Sequence, residues 1–201
     1  MLSYTCEQAK RAKRLSRFIV STDDDRIAEC GRRYGAEVPF LRPKELAQDE
    51  TPMLDVLRNL LATLKQRETV QPEVLVLLQP TSPLRPAERI DAAVELLEKS
   101  GADSVVSVVP VPHQFSPSSL MEIKDGSLVP IAAGPQVLRR QDKPVFYRRN
   151  GPAVLAVRRK TLEANSLYGS RCVPLIMSEE ESVDIDTPFD LTLAELLMSK
   201  R

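Results

Sequence analysis

The stretch VLVLLQPTSPLR, residues 74–85, decides the fold. Val74 to Leu78 form an unbroken apolar run, which suits a strand covered on both faces rather than one with a wet side. The run ends abruptly in Gln79-Pro80-Thr81-Ser82-Pro83-Leu84-Arg85, a polar, cationic loop stiffened by two prolines. Pro86 stands where a first helical residue belongs, and the pattern predicts a helix from there to Gly101. Ser104 to Val109 then reads as a second buried strand. Strand, loop, helix and strand in that order make an α/β unit.

The same alternation extends outward in both directions. Met1 to Arg14 reads as a helix, basic toward its end, and Phe18-Ile19-Val20 as a short buried strand. Ser21, Thr22 and Asp23 offer caps for a helix through Tyr34, with Asp24 and Asp25 at its positive end and Gly35 as its stop. Pro52 to Arg67 places Met53, Val56, Leu57, Leu60, Leu61 and Leu64 at helical spacing. From Pro110 to Asn150 the prolines and a Lys124-Asp125-Gly126-Ser127 turn signal predict a hairpin-bearing excursion, an arm or lid. Ala153 to Val157 returns to the core as a strand, and a helix from Phe189 to Ser199 closes the chain. The expected fold class is α/β, a mostly parallel sheet flanked by helices in one domain.

Composition narrows the partners. The 201 residues carry 28 lysines and arginines against 28 aspartates and glutamates, so bulk charge draws the chain to neither nucleic acid nor membrane. No apolar stretch is long enough to span a bilayer, and the first residues lack the apolar core of a signal peptide; a cytoplasmic protein is expected. Cys6, Cys30 and Cys172 are scattered, which suggests neither a disulfide framework nor a zinc site.

In open α/β sheets ligands bind beyond the carboxyl ends of the strands, so the polar strand tails are the candidate site elements. These are Ser21-Thr22-Asp23, Gln79 to Arg85, and Asp184-Ile185-Asp186. In the second, Gln79, Thr81 and Ser82 present amide and hydroxyl groups on a rigid loop, suited to a sugar or nucleotide; a proline-ordered turn in which Thr81 and Ser82 only cap the next helix explains it equally well. Asp184 and Asp186 sit two apart, so in an extended segment both carboxylates point to one side, a pair suited to Mg²⁺ on a phosphorylated substrate. A helix N-terminus at Asp186-Thr187-Pro188 is the rival explanation, although capping needs only one carboxylate. Arg139, Arg140, Lys143, Arg148 and Arg149 make a basic cluster fit for an anionic substrate or merely for solvent. His113, the single histidine, has no identifiable carboxylate partner and reads as structural.

The segments FIVSTDDDRIAE, YGAEVPFLRPKELAQDET, LLQPTSPLR, RRQDKPVFYRRNG and SVDIDTPFDLTLAELL, in this order, resemble the CMP-acylneuraminate synthetases, the cytidylyltransferases that activate sialic-acid-like sugars. The resemblance implies a nucleotide-diphospho-sugar transferase-like, Rossmann-like fold. It also implies a reaction in which the anomeric hydroxyl of a nine-carbon sugar acid attacks the α-phosphate of CTP, pyrophosphate leaves, and Mg²⁺ neutralises charge. Such chemistry rests on positioning and electrostatics rather than on a protein nucleophile. Carried over motif by motif, Asp184 and Asp186 hold the metal and are catalytic. Gln79, Thr81, Ser82, Arg140, Gln141 and Asn150 meet the sugar, with Arg140 on its carboxylate, and Arg42 lies near the cytosine. The excursion at about 110–150 is implied to reach into a second subunit, giving a homodimer.

Two departures qualify the resemblance. The family opens with a strand and an A-R-x-G-S-K loop that grips the triphosphate, and these 201 residues contain no counterpart; MLSYTCEQAK resembles the helix that follows that loop. A start placed too late explains this, as does a catalytically silent homologue that keeps a sugar-binding or regulatory role. Asn150-Gly151-Pro152-Ala153-Val154 stands where the sialic acid enzymes read N-G-A-I-Y, which replaces an aromatic sugar contact and opens the choice of acid to legionaminic, pseudaminic and related sugars.

Overall fold

In a computed structural model the described residues are 1–69, 71–131, 139 and 144–200. Six α-helices and seven strands are assigned among them: α1 (Leu2–Arg11), α2 (Asp25–Arg33), α3 (Met53–Glu68), β1 (Val74–Leu77), α4 (Ala87–Ser100), β2 (Ser104–Pro110), β3 (Met121–Lys124), β4 (Ser127–Pro130), β5 (Tyr147–Arg149), β6 (Leu155–Arg158), α5 (Arg159–Glu163), β7 (Cys172–Ile176) and α6 (Pro188–Met198). Helix boundaries follow local chemistry. The carboxylate of Asp24, rather than residues 21–23, caps α2 by accepting from the amides of Arg26 and Ile27. Gly101, at φ 65°, ends α4 in the left-handed conformation that glycine adopts without strain.

The main sheet has five strands. β2 lies at its centre, paired in parallel with β7 on one side. On its other side it pairs antiparallel with β6 through Ser104–Val106 and with β5 through Val108–Pro110. β1 is antiparallel to β6, with Leu75 opposite Val157 and Leu77 opposite Leu155. β1, β2 and β7 therefore share one direction, but the expectation of a mostly parallel sheet needs correction: only β2–β7 is a parallel ladder. The reason lies in the chain path, because after the excursion β5 and β6 return down the sheet between β1 and β2. The turn signal at Asp125-Gly126 forms the β3–β4 hairpin, a separate two-stranded ribbon, with both turn residues at positive φ.

The core lies on both faces of the sheet. Ile90, Ala93 and Leu97 of α4 pack with Val105, Val154 and Ala156 on one face, while Leu57 of α3 and Leu162 of α5 pack with Leu75 and Val157 on the other. β2 is buried along almost its whole length. β1 is not, although its sequence is as apolar: Val74, Val76 and Leu77 are half-buried. Residues 18–20, read from sequence as a buried strand, are also only half-buried and stand outside the sheet, making a single parallel bridge from Ile19 to Glu37. Both departures have one cause, a cavity of about 610 Å³ that separates residues 18–20 from β1.

Candidate active site

The loop after β1 is organised by a side chain that sequence reading passed over. Arg85 is 1% exposed and has no carboxylate partner among the described residues. Its Nη1 donates to the carbonyls of Ala153 (2.6 Å) and Gln79 (3.2 Å), and its Nη2 to Thr5 Oγ1 at 3.0 Å. Burial lowers its pKa to about 10, which still leaves a cation at neutral pH. This one guanidinium ties the end of β1 to the approach of β6 and to α1. Its position between Pro83 and Pro86 was the available signal, since a residue so confined is directed by its backbone.

Against this braced loop lies the segment 184–186. The Ile185 amide donates to the Thr81 carbonyl at 2.9 Å, and Ile185 packs with Leu84, Val183 and Ala194. The Ser82 hydroxyl reaches Asp184 Oδ1 at 3.5 Å, a weak contact. Asp184 is half-buried and Asp186 exposed. The cap of α6 is made by neither: Thr187 accepts from the Asp190 amide, and Asp190 Oδ2 accepts from the Thr187 amide in return, a reciprocal capping box. Helix capping thus leaves both Asp184 and Asp186 uncommitted.

The third wall is the Asn150-Gly151 pair. Asn150, expected to face the sugar acid, is instead wholly buried. Its Oδ1 accepts from the Ser107 hydroxyl, and its Nδ2 donates to Ser182 Oγ (2.8 Å) and lies 3.7 Å from the Met177 sulfur. It acts as a brace between β2, the start of β6 and the segment leading to Asp184. Gly151 takes the exposed role beside it. At φ +112° it adopts a conformation that favours glycine, and a Cβ there would lie 3.1 Å from Asp184 Oδ2 and 3.3 Å from Gln79 Oε1. Gln79, Gly151 and Asp184, far apart in sequence, therefore converge on one point. Ser82, also expected to contact the sugar, is fully buried, while Gln79 and Thr81 are half-buried.

Arg42 lines the same cavity as Gln79; its backbone amide donates to the Thr22 carbonyl at 2.8 Å, and its buried Nε has no hydrogen-bond partner among the described residues. A guanidinium so placed has donor capacity to spare for a ligand. Arg140 and Gln141 lie outside the described residues. Of the basic cluster, Arg148 and Arg149 are exposed on β5, and the Arg149 guanidinium sits 4.9 Å from the Tyr168 ring centroid. His113 opens a short 3-10 turn, where its carbonyl accepts from the Ser119 hydroxyl.

No cluster of three or more His, Cys, Asp or Glu residues suited to a metal occurs among the described residues. Asp184 and Asp186 remain as two hard oxygen donors, and such a donor set fits Mg²⁺, which retains waters and completes its shell with substrate phosphate.

A mixed sheet covered on both faces, with polar loops gathered at the carboxyl end of β1, is an α/β fold with its candidate site at a strand end, where such folds bind ligands. Solved structures agree: CMP:2-keto-3-deoxy-manno-octonic acid synthetase complexed with CTP matches 99% of this chain and 87% of its own with a TM-score of 0.71 at 14% identity. A 4-diphosphocytidyl-2C-methyl-D-erythritol synthase matches 98% of the chain and 87% of its own with a TM-score of 0.61 at 16% identity. Among sequence relatives, the CMP-N,N'-diacetyllegionaminic acid synthase of Legionella pneumophila is 36% identical over 98% of this chain and 84% of its own length. The N-acylneuraminate cytidylyltransferase of Escherichia coli is 29% identical over all of this chain and 46% of its own. The family model described as cytidylyltransferase matches residues 1–200, and the chain belongs to that family of nucleotidyltransferase enzymes.

Proposed function

We propose that this protein transfers CMP from CTP to the anomeric hydroxyl of a sialic-acid-like nine-carbon sugar acid, releasing pyrophosphate. The observation that carries the reading is the convergence of Gln79 and Asp184 about Gly151 at the carboxyl end of β1, with Asp186 left free by the Thr187–Asp190 cap. The names of the Legionella and Escherichia relatives support the acceptor class.

In this reading Gln79 and Thr81 hold sugar hydroxyls, and Ser82 aligns the Asp184 carboxylate. Arg42 takes the base of the nucleotide with its unpaired donor. Arg140 and Gln141 receive the acid group of the sugar. Asn150 acts through its neighbours, fixing Gly151 and Ser182 so that Asp184 meets the loop without a side chain in between. Asp184 and Asp186 would hold Mg²⁺, which when bound supplies charge neutralisation at the phosphates. Rigid placement of acceptor and nucleotide then supplies most of the rate, because the reaction needs no protein nucleophile.

The excursion has a role here too. Ile123 (77% exposed) and Leu128 (67%) on the β3–β4 hairpin present apolar surface, and we assign it to a homodimer contact. Three cysteines without disulfides suit a reducing cytoplasm, where we place the reaction.

The test is to supply the purified protein with CTP, Mg²⁺ and a panel of acids, and to identify products by mass. N,N'-diacetyllegionaminic acid, N-acetylneuraminic acid and the eight-carbon Kdo form the panel. A CMP-linked nine-carbon acid is the expected product; CMP-Kdo as the preferred product would overturn the acceptor assignment.

A further inference from the structure

Of the basic cluster read from the sequence, Arg148 and Arg149 lie on β5, where register fixes their places. Leu77 of β1 stands opposite Leu155 of β6, and Leu155 opposite Val106 of β2. Two residues further toward the carboxyl ends are Gln79 after β1 and Val108 on β2, and Val108 is paired with Arg149. Arg149 is therefore level with Gln79. Paired residues share a sheet face, and neighbours along a strand alternate between faces. Leu77, Leu155, Val106 and Val108 cluster with Leu167 and Tyr168 on the face that α3 and α5 cover, whereas Leu78 packs on the opposite face with α4. Alternation returns Gln79 to the face of Leu77, and pairing with Val108 puts Arg149 on that same face. Asn150, next along, goes the other way, into its buried bonds with Ser107 and Ser182.

The Arg149 guanidinium is held in advance. Its stack on the Tyr168 ring, 4.9 Å from the centroid, is a cation–π contact. Tyr168 is itself fixed on both sides of its backbone: its amide donates to the Ser166 hydroxyl at 3.3 Å, and its carbonyl accepts from the Ser104 hydroxyl at 2.6 Å. A ring against the face of a guanidinium leaves the in-plane N–H donors open. Among the described residues no acceptor takes a hydrogen bond from Arg149, and the residue is exposed. Gly151, two residues on, is the point at which Gln79 and Asp184 converge.

We propose that Arg149 is a substrate-contacting, specificity-determining residue. From the β5 side of the pocket its in-plane donors take an acceptor oxygen that bears full or partial negative charge, a carboxylate or an acylamino carbonyl, while Gln79 serves the hydroxyls from the β1 side. Tyr168 is a positioning residue that acts through Arg149. The inference rests on the cytidylyl transfer proposed above and adds to it a contact from β5.

Steady-state kinetics at saturating CTP, beside thermal melts, tests it. Arg149→Ala should raise KM for N-acetylneuraminic acid at least about tenfold, as expected for loss of a charge-assisted hydrogen bond. KM for CTP should stay within about twofold and Tm within about 2 °C of the parent, because the side chain is exposed. Arg149→Lys should recover little, since an ammonium lacks the planar fork. Tyr168→Leu should raise KM for the acid by less, and should add nothing to Arg149→Ala when the two are combined. The same weakening for Kdo, read as KM or as an inhibition constant, assigns the contact to the carboxylate, because Kdo has no acylamino group; weakening confined to the acylamino acids assigns it to the acyl carbonyl. An unchanged KM for the acid in Arg149→Ala, or equal rises for acid and CTP, overturns the proposal and leaves cytidylyl transfer standing. A parent protein that forms no CMP-sugar overturns both.

Discussion

Gly151 and Arg85 show how much of the site hangs on single groups. Placing a methyl group at Gly151 sets it 3.1 Å from Asp184 Oδ2 on a backbone at φ +112°, so Gly151→Ala strains the turn by about 1–2 kcal/mol and pushes the aspartate off its position. Activity should fall at least about tenfold, more than the accompanying drop in Tm would explain; thermal melts beside kcat/KM check this. Arg85→Met strips donors from the Gln79 and Ala153 carbonyls and from Thr5, leaving buried acceptors unmet. A loss of roughly 2–4 kcal/mol in denaturant unfolding is expected. Asp186→Ala takes no part in the α6 cap, so it should leave the melting temperature within about 2 °C of the parent while abolishing Mg²⁺-dependent turnover. The sequence named Asp184 and Asp186 because their spacing is local. It could not name Gly151 as their neighbour, since only the sheet brings residues 79, 151 and 184 together.

At the level of elements, α6 and the β3–β4 hairpin make separable predictions. Thr187→Ala removes the side-chain half of the reciprocal cap and should cost about 1 kcal/mol, with Thr187→Ser restoring most of it in the same melts. Replacing Ile123 and Leu128 by lysine should turn a dimer into a monomer in analytical ultracentrifugation, with the far-ultraviolet circular dichroism unchanged, because among the described residues the hairpin strands pair with each other alone. Helices were the most legible elements: the apolar spacing in α3, and Pro86 with Gly101 around α4, are written within single turns of the chain. Strand direction was not legible, because an apolar run reads the same whether its neighbour is parallel or antiparallel. Phe18-Ile19-Val20 shows the same limit, since its apolar run does not reveal that it makes a single bridge to Glu37 and stays half-buried outside the sheet.

For the whole molecule, pH exposes the shared logic of its surface carboxylates. Asp24 is held below the usual carboxylate range first by the Ile27 amide, Asp103 first by the Arg171 amide, and Asp190 first by the Thr187 hydroxyl. A depressed folded pKa contributes stability that is present above the unfolded value of about 3.9 and is lost as pH falls through the folded value. Unfolding midpoints should therefore hold steady from pH 7 to about 5 and decline below about 4. On the same scale, the polar loops at the carboxyl ends of strands were readable as a site because α/β sheets place ligands there. What they assemble into depended on Arg85 and Asn150, buried polar braces with no pattern of their own in the sequence. Cytidylyl transfer is tested by pyrophosphate release from CTP by the purified protein with and without a nine-carbon sugar acid. The expected result is release that requires both the acid and Mg²⁺, one pyrophosphate for each CMP-sugar formed. Retained binding of the acid with no pyrophosphate under any of these conditions would contradict it and mark the protein as a silent sugar-binding homologue.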